Sequence, residues 1–139
     1  MATVELTFSP VPANVRTARL IASTLGRRNG LDESLVDEVK LAVGEACARA
    51  VSLHRRHDLA GDVRVCFSDD DGSFTVTVTD GGPGDAEVPP EDLADVAEDL
   101  DGDLPSGFGL AVVAGLVDDV EVTSSGSGTA VRMRWPVKG

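Results

Sequence analysis

The stretch Ser73-Phe74-Thr75-Val76-Thr77-Val78-Thr79 alternates apolar and polar side chains without a break and runs straight into Asp80-Gly81-Gly82-Pro83-Gly84. A strict period of two puts one face of a strand on a core and the other toward water. One Gly or Asn would be enough to end such a strand, yet here three glycines and a proline follow a single carboxylate. Two readings are open at this point. The run is an ordinary polar turn, as Gly and Pro often make. Alternatively, Gly82 and Gly84 let a ligand or another chain come close to the backbone, and Asp80 stands as a fixed acceptor at the mouth of that loop.

The flanking sequence supplies the layers around this strand. Val4, Leu6 and Phe8 alternate and stop at Ser9-Pro10. Val15, Ala18, Leu20, Ile21, Thr24 and Leu25 recur at helical spacing and close near Gly30. Asp32 caps a second helix whose apolar stripe, Leu35, Val39, Ala42, Val43, Ala46, Ala50 and Leu53, reaches about His57. Val63, Val65 and Phe67 alternate ahead of the turn Asp69-Asp70-Asp71-Gly72. Residues 85–106 carry Pro89, Pro90 and Pro105 and read as a loop, with one acidic turn of helix at 92–99. A third helix is expected over 107–117, then strands at 120–124 and 129–135 joined by Ser125-Gly126-Ser127-Gly128. This order predicts an α/β (α+β) chain: a two-layer sandwich with a mixed, mostly antiparallel sheet and helices on one face. The long irregular segment 85–106 is bounded by glycine-rich sequence on both sides, which favours a lid.

The chain's 139 residues make one domain, 1–139, able to bury a core without disulfides. Cys47 and Cys66 are isolated; Cys47 lies on the apolar side of its helix as a small hydrophobe. No apolar run approaches the roughly 18 residues of a membrane span and no basic n-region opens the chain, which points to the cytoplasm. The net charge of −12 argues against a direct nucleic-acid binder. Its distribution is uneven: residues 1–57 hold eight Lys/Arg against six Asp/Glu, and 58–139 hold four against eighteen. Arg16, Arg19, Arg27 and Arg28 therefore form the basic surface, either a solvated helix face or a docking face.

Three further features bear on chemistry. Glu45 and Arg49 lie four apart on the second helix, turned from its alanine stripe, where a favourable surface pair is the plain alternative to a functional role. Gly107-Phe108-Gly109-Leu110 opens the third helix, and free N–H groups at a helix start suit an anion. His54 and His57 could share a helix face, but histidine near a helix C-terminus is favoured by the dipole without any metal. Lys40 and Lys138 do not follow a glycine, so there is no P-loop.

The order of these features is more specific than any of them alone. A helix bearing a carboxylate, a strand ending in D-x-G-x-G, a loop, G-x-G-L opening a helix and a Gly-Thr hairpin resemble the GHKL (Bergerat-fold, histidine-kinase-like) ATPases. The branch it looks like is the bacterial anti-sigma factor serine kinases. The resemblance implies ATP or ADP as ligand. Asp80 would accept from the adenine amino group with help from Thr129. Gly82 and Gly84 would floor the ring, Gly107 and Gly109 would offer amides to phosphates, with Phe108 and Leu110 in the same box, and 85–106 would be the ATP lid. Glu45 would activate the attacking hydroxyl as general base. Partners implied are a sigma factor and its antagonist protein, and members commonly pair as homodimers.

The departure is Arg49, where the family places an Asn that holds Mg²⁺. Arginine has five donors and no acceptor, so it ligates no cation. The nine acids between 85 and 103 also oppose closure of the lid over a triphosphate. The sequence therefore predicts a nucleotide-linked regulator with kinase activity weakened or lost, in which Arg49 pairs either with phosphate or with Glu45. An active Mg-ATP-dependent kinase and a nucleotide-free interaction module are the alternatives.

Overall fold

The computed structural model describes residues 3–56, 58–59, 61–70, 72–81, 113, 115, 117, 119–125 and 128–137. Their elements run β1 (Thr3–Phe8), α1 (Pro12–Arg28), α2 (Glu33–Arg56), β2 (Val63–Asp70), β3 (Ser73–Asp80), β4 (Asp119–Ser125) and β5 (Gly128–Pro136). The strands form one sheet in the order β1-β2-β3-β5-β4. All four pairings are antiparallel, so the mixed arrangement allowed for from the sequence is not used among the described strands.

Local chemistry accounts for where the helices begin and end. Pro12 takes the first turn of α1, where its missing N–H costs nothing. The Asp32 carboxylate accepts from the Leu35 N–H at 3.0 Å, capping α2 as its position suggested. Both helices close with a backbone bond from a residue just past the end back to the last turn. At the end of α1, Gly30 adopts φ +93°, its N–H bonds the Arg27 carbonyl and the Leu31 N–H bonds that of Gly26. At the end of α2, Asp58 takes the left-handed position at φ 49° and the Leu59 N–H reaches back to the His54 carbonyl at 2.9 Å. These are Schellman closures, the first with the expected glycine and the second with an aspartate.

The alternation read from the sequence sets the two faces of the sheet. Val63, Val65 and Phe67 of β2, Phe74, Val76 and Val78 of β3, and Val131, Met133 and Trp135 of β5 are buried against α1 and α2. Thr75, Thr77 and Thr79 are half-buried on the opposite face. The Trp135 indole N–H donates to Glu38 Oε1 at 3.0 Å, giving the buried ring's polar edge a partner on α2. Cys47 is buried in the core, and desolvation pushes its thiol up to about 12, so it packs as an inert hydrophobe. Among the described residues no helix is long and apolar enough to cross a membrane. The expected third helix lies outside the described residues except at three positions. One helical bond there, from the Val117 N–H to the Val113 carbonyl, measures 3.0 Å.

Candidate functional site

The middle of α2 is buried on every side from Ala42 to His54. Its apolar stripe packs on the sheet, but Glu45, Arg49 and Ser52, spaced to share one face, are buried as well at 2%, 4% and 3% exposure. That overturns the reading of Glu45 and Arg49 as a solvated surface pair. Buried charges need partners, so this face of α2 is a built polar site.

Strand β3 delivers Asp80 to the same place. Antiparallel register sets Asp80 directly opposite Thr129 of β5, and both are buried. The sequence placed these two together, and the ladder does so. Gly128 is needed here for close approach: it sits at φ +147°, and a Cβ on it would fall onto the Asp80 carbonyl.

The Arg49 guanidinium donates through Nη1 to Asp80 Oδ2 at 3.2 Å, with the two side chains 5% and 1% exposed. Asp80 was not among the partners expected for Arg49, which were phosphate or Glu45. The pair also corrects the picture of Asp80 as an acceptor open to a cleft. The physical reason is desolvation. An ionised carboxylate sealed at a strand end needs a donor, and an arginine four residues beyond Glu45 has the reach to supply one.

The residues present do not fit a magnesium ion at position 49. A guanidinium offers no lone pair and carries the wrong charge.

The burial of His54 and of Arg19 was not anticipated. His54 is 2% exposed, and its Nε2 accepts from the Gly81 N–H at 3.0 Å. It is an internal acceptor, a role that its place near the helix C-terminus did not suggest. Arg19, expected on the basic face of α1, is 4% exposed; Arg16, Arg27 and Arg28 remain outside. The Arg19 stem crosses α2 at Gly44, where a Cβ would lie 2.9 Å from its Cδ. A glycine within a helix is costly, by about 1 kcal/mol relative to alanine. Gly44, immediately before Glu45, was therefore the one legible sign that something crosses the helix there. Gly82, Gly84, Gly107, Phe108, Gly109, Leu110 and the lid segment 85–106 lie outside the described residues.

Against known proteins, the histidine kinase-like ATPase domain matches residues 8–135. The serine-protein kinase RsbW of Bacillus velezensis is 30% identical over 133 residues, covering 94% of this chain and 82% of that protein. RsbW of Bacillus pumilus is 32% identical over 135 residues, covering 94% and 83%. A crystal structure of the RsbU and RsbW domains of a Mycobacterium tuberculosis protein superposes with TM-score 0.63 at 18% identity. It covers 99% of this chain, which spans only 34% of that longer one, and at this identity it speaks to the fold alone. Fold, family match and relatives agree: the chain belongs to the histidine kinase-like ATPase domain family, on the branch of the RsbW serine-protein kinases.

Proposed function

We propose that this chain is an anti-sigma-type regulator that controls transcription by binding a sigma factor or an antagonist protein, with Mg²⁺-dependent serine kinase chemistry lost or weakened. The observation that carries this reading is the buried Arg49–Asp80 pair. It has two chemical consequences. The position that would hold a metal carries a cation instead. The carboxylate that would take the purine amino group already accepts an N–H from within the chain.

Binding of ATP or ADP then becomes an exchange. Asp80 would turn an oxygen from Arg49 to the adenine amino group, and the guanidinium so released would be available to phosphate as a metal substitute, a role its planar fork suits. Affinity is weak, because a buried ion pair must open first, and it does not depend on Mg²⁺. Transfer suffers more than binding, since the loose phosphoryl transition state relies on metal-neutralised oxygens. Glu45, buried one turn before Arg49, keeps the place of a general base, and an active kinase remains the second reading on that ground.

The same reading makes residues 1–139 one regulatory domain, cytoplasmic and able to pair with a second copy. The exposed arginines Arg16, Arg27 and Arg28 on α1 form its docking face. Calorimetric titration with ATP and ADP, each with and without Mg²⁺, tests the nucleotide part. The expected result is weak heat of binding that magnesium does not change, and Arg49→Asn converts it to metal-dependent binding. Phosphate transfer from Mg-ATP to a cognate antagonist, abolished by Glu45→Ala, would establish the kinase instead. No binding of either nucleotide at millimolar concentration would leave a nucleotide-free interaction module.

A further inference from the structure

His54 stands on the last turn of α2, five residues beyond Arg49, and its own carbonyl is held by Leu59 in the helix closure. The ring is thus carried on fixed backbone. Its Nε2 accepts from the Gly81 N–H at 3.0 Å, and Gly81 directly follows Asp80. An imidazole nitrogen accepts only when it bears no proton, so this ring is neutral with its hydrogen on Nδ1. Nδ1 is itself buried and has no hydrogen-bond partner among the described residues. The ring therefore forgoes a bond on one nitrogen in order to present a lone pair on the other. A buried polar atom left without a partner needs a structural reason, and the Gly81 amide supplies one.

We infer that His54 is the positioning residue of the Asp80–Gly81 corner. Helix α2 grips the end of β3 at two adjacent residues: Arg49 holds the Asp80 carboxylate and His54 holds the next amide. The amide bond fixes the direction in which the chain leaves Asp80, and with it the aim of the carboxylate at Arg49. A side chain at position 81 has little to do with this, because a Cβ there would make only ordinary contact with the ring, 3.6 Å from Cε1. The grip acts through the backbone N–H. On the nucleotide reading proposed above, from which it takes its functional meaning, His54 presets the corner at which Asp80 exchanges Arg49 for a purine amine.

The test is nuclear magnetic resonance on the full chain, first without ligand. Two-bond proton–nitrogen correlations are expected to place the His54 proton on Nδ1 and leave Nε2 bare. His54→Leu lowers hydrogen-exchange protection of the Gly81 amide by roughly tenfold, as loss of one hydrogen bond of ordinary net strength implies. It also releases the slowly exchanging guanidinium protons of Arg49. His54→Gln, whose side-chain oxygen can accept the same N–H, restores both signals, which a purely space-filling role would not do. A proton on Nε2, or Gly81 and Arg49 signals unmoved in His54→Leu, would overturn the inference. If His54→Leu does not fold, the tautomer and the glutamine variant still decide. Titration of the same samples with ATP then separates the two ideas. Wild-type protein that binds no ATP fails the nucleotide reading and leaves the corner measurements standing. Several-fold weaker ATP binding in His54→Leu, recovered in His54→Gln, supports both.

Discussion

Two arginine–carboxylate pairs in this molecule lie at opposite extremes of exposure. Arg27 on α1 meets Glu33 at the start of α2 at 2.8 Å, with side chains 49% and 70% exposed. Arg49 and Asp80 meet at 3.2 Å, with 5% and 1% exposed. The shorter contact is the one expected to cost less when one partner is removed. In water each partner of the surface pair has a full hydration shell to fall back on, and the pair adds little. Inside, both partners have given up their hydration shells, so removing one leaves the charge of the other poorly compensated. Burial, not distance, is what should rank the cost of breaking these pairs. On the function proposed above, a ligand that opens the interior pair must satisfy the same carboxylate.

The strongest way to break the comparison is to remove one interior partner. Asp80→Ala is expected to cost about 3–5 kcal/mol, the usual penalty for stranding one charge of a buried pair. Arg49→Ala belongs in the same range. The double variant Arg49→Ala/Asp80→Ala should lose less than the two losses summed, because neither charge of this pair is left behind. Urea melts of the four proteins measure the coupling directly. Additive losses would mean that the two side chains do not depend on one another and that the exchange mechanism has no basis.

A smaller effect concerns how the interior seats its other arginine. Gly44→Ala gains helix propensity of about 1 kcal/mol but drives a methyl into the Arg19 stem, and overpacking typically costs about 1–3 kcal/mol. The expected balance is a net loss of about 1 kcal/mol by the same two terms. Adding Arg19→Ala to Gly44→Ala should remove the clash and leave the alanine's propensity gain. A Gly44→Ala protein that melts later than wild type would show that Arg19 is loosely held and that the glycine serves some other end.

What could be read from the sequence follows the range of the interactions. The Asp32 cap, the Gly30 closure and the alternation of β2, β3 and β5 are local, and each was legible from neighbouring residues. The Asp80–Thr129 adjacency was legible from family resemblance and is realised by the ladder. The partners of Arg49 and His54 were not, because they lie 31 and 27 residues away along the chain. Sequence spacing could put Glu45 and Arg49 on one helix face but could not tell that this face is covered. Arg19 was misplaced for the same reason: its helical position is polar by type and interior by packing.

The surface pair provides the smallest effect and the cleanest contrast. Arg27 hydrogen-bonds Glu33 and holds its carboxyl below the ordinary glutamate value, while Glu33 in turn raises Arg27. A carboxyl depressed in the folded state stabilises above its unfolded pKa, and that contribution is lost as the pH falls through the folded value. Glu33→Gln should therefore trail wild type slightly at neutral pH and match it once acid has protonated Glu33. High salt should close the same small gap, because both groups are solvated and screened. The coupling between Arg49 and Asp80 should persist in that salt. If Glu33→Gln instead destabilised the chain as much as Asp80→Ala, and salt made no difference, burial would not be what separates the two pairs.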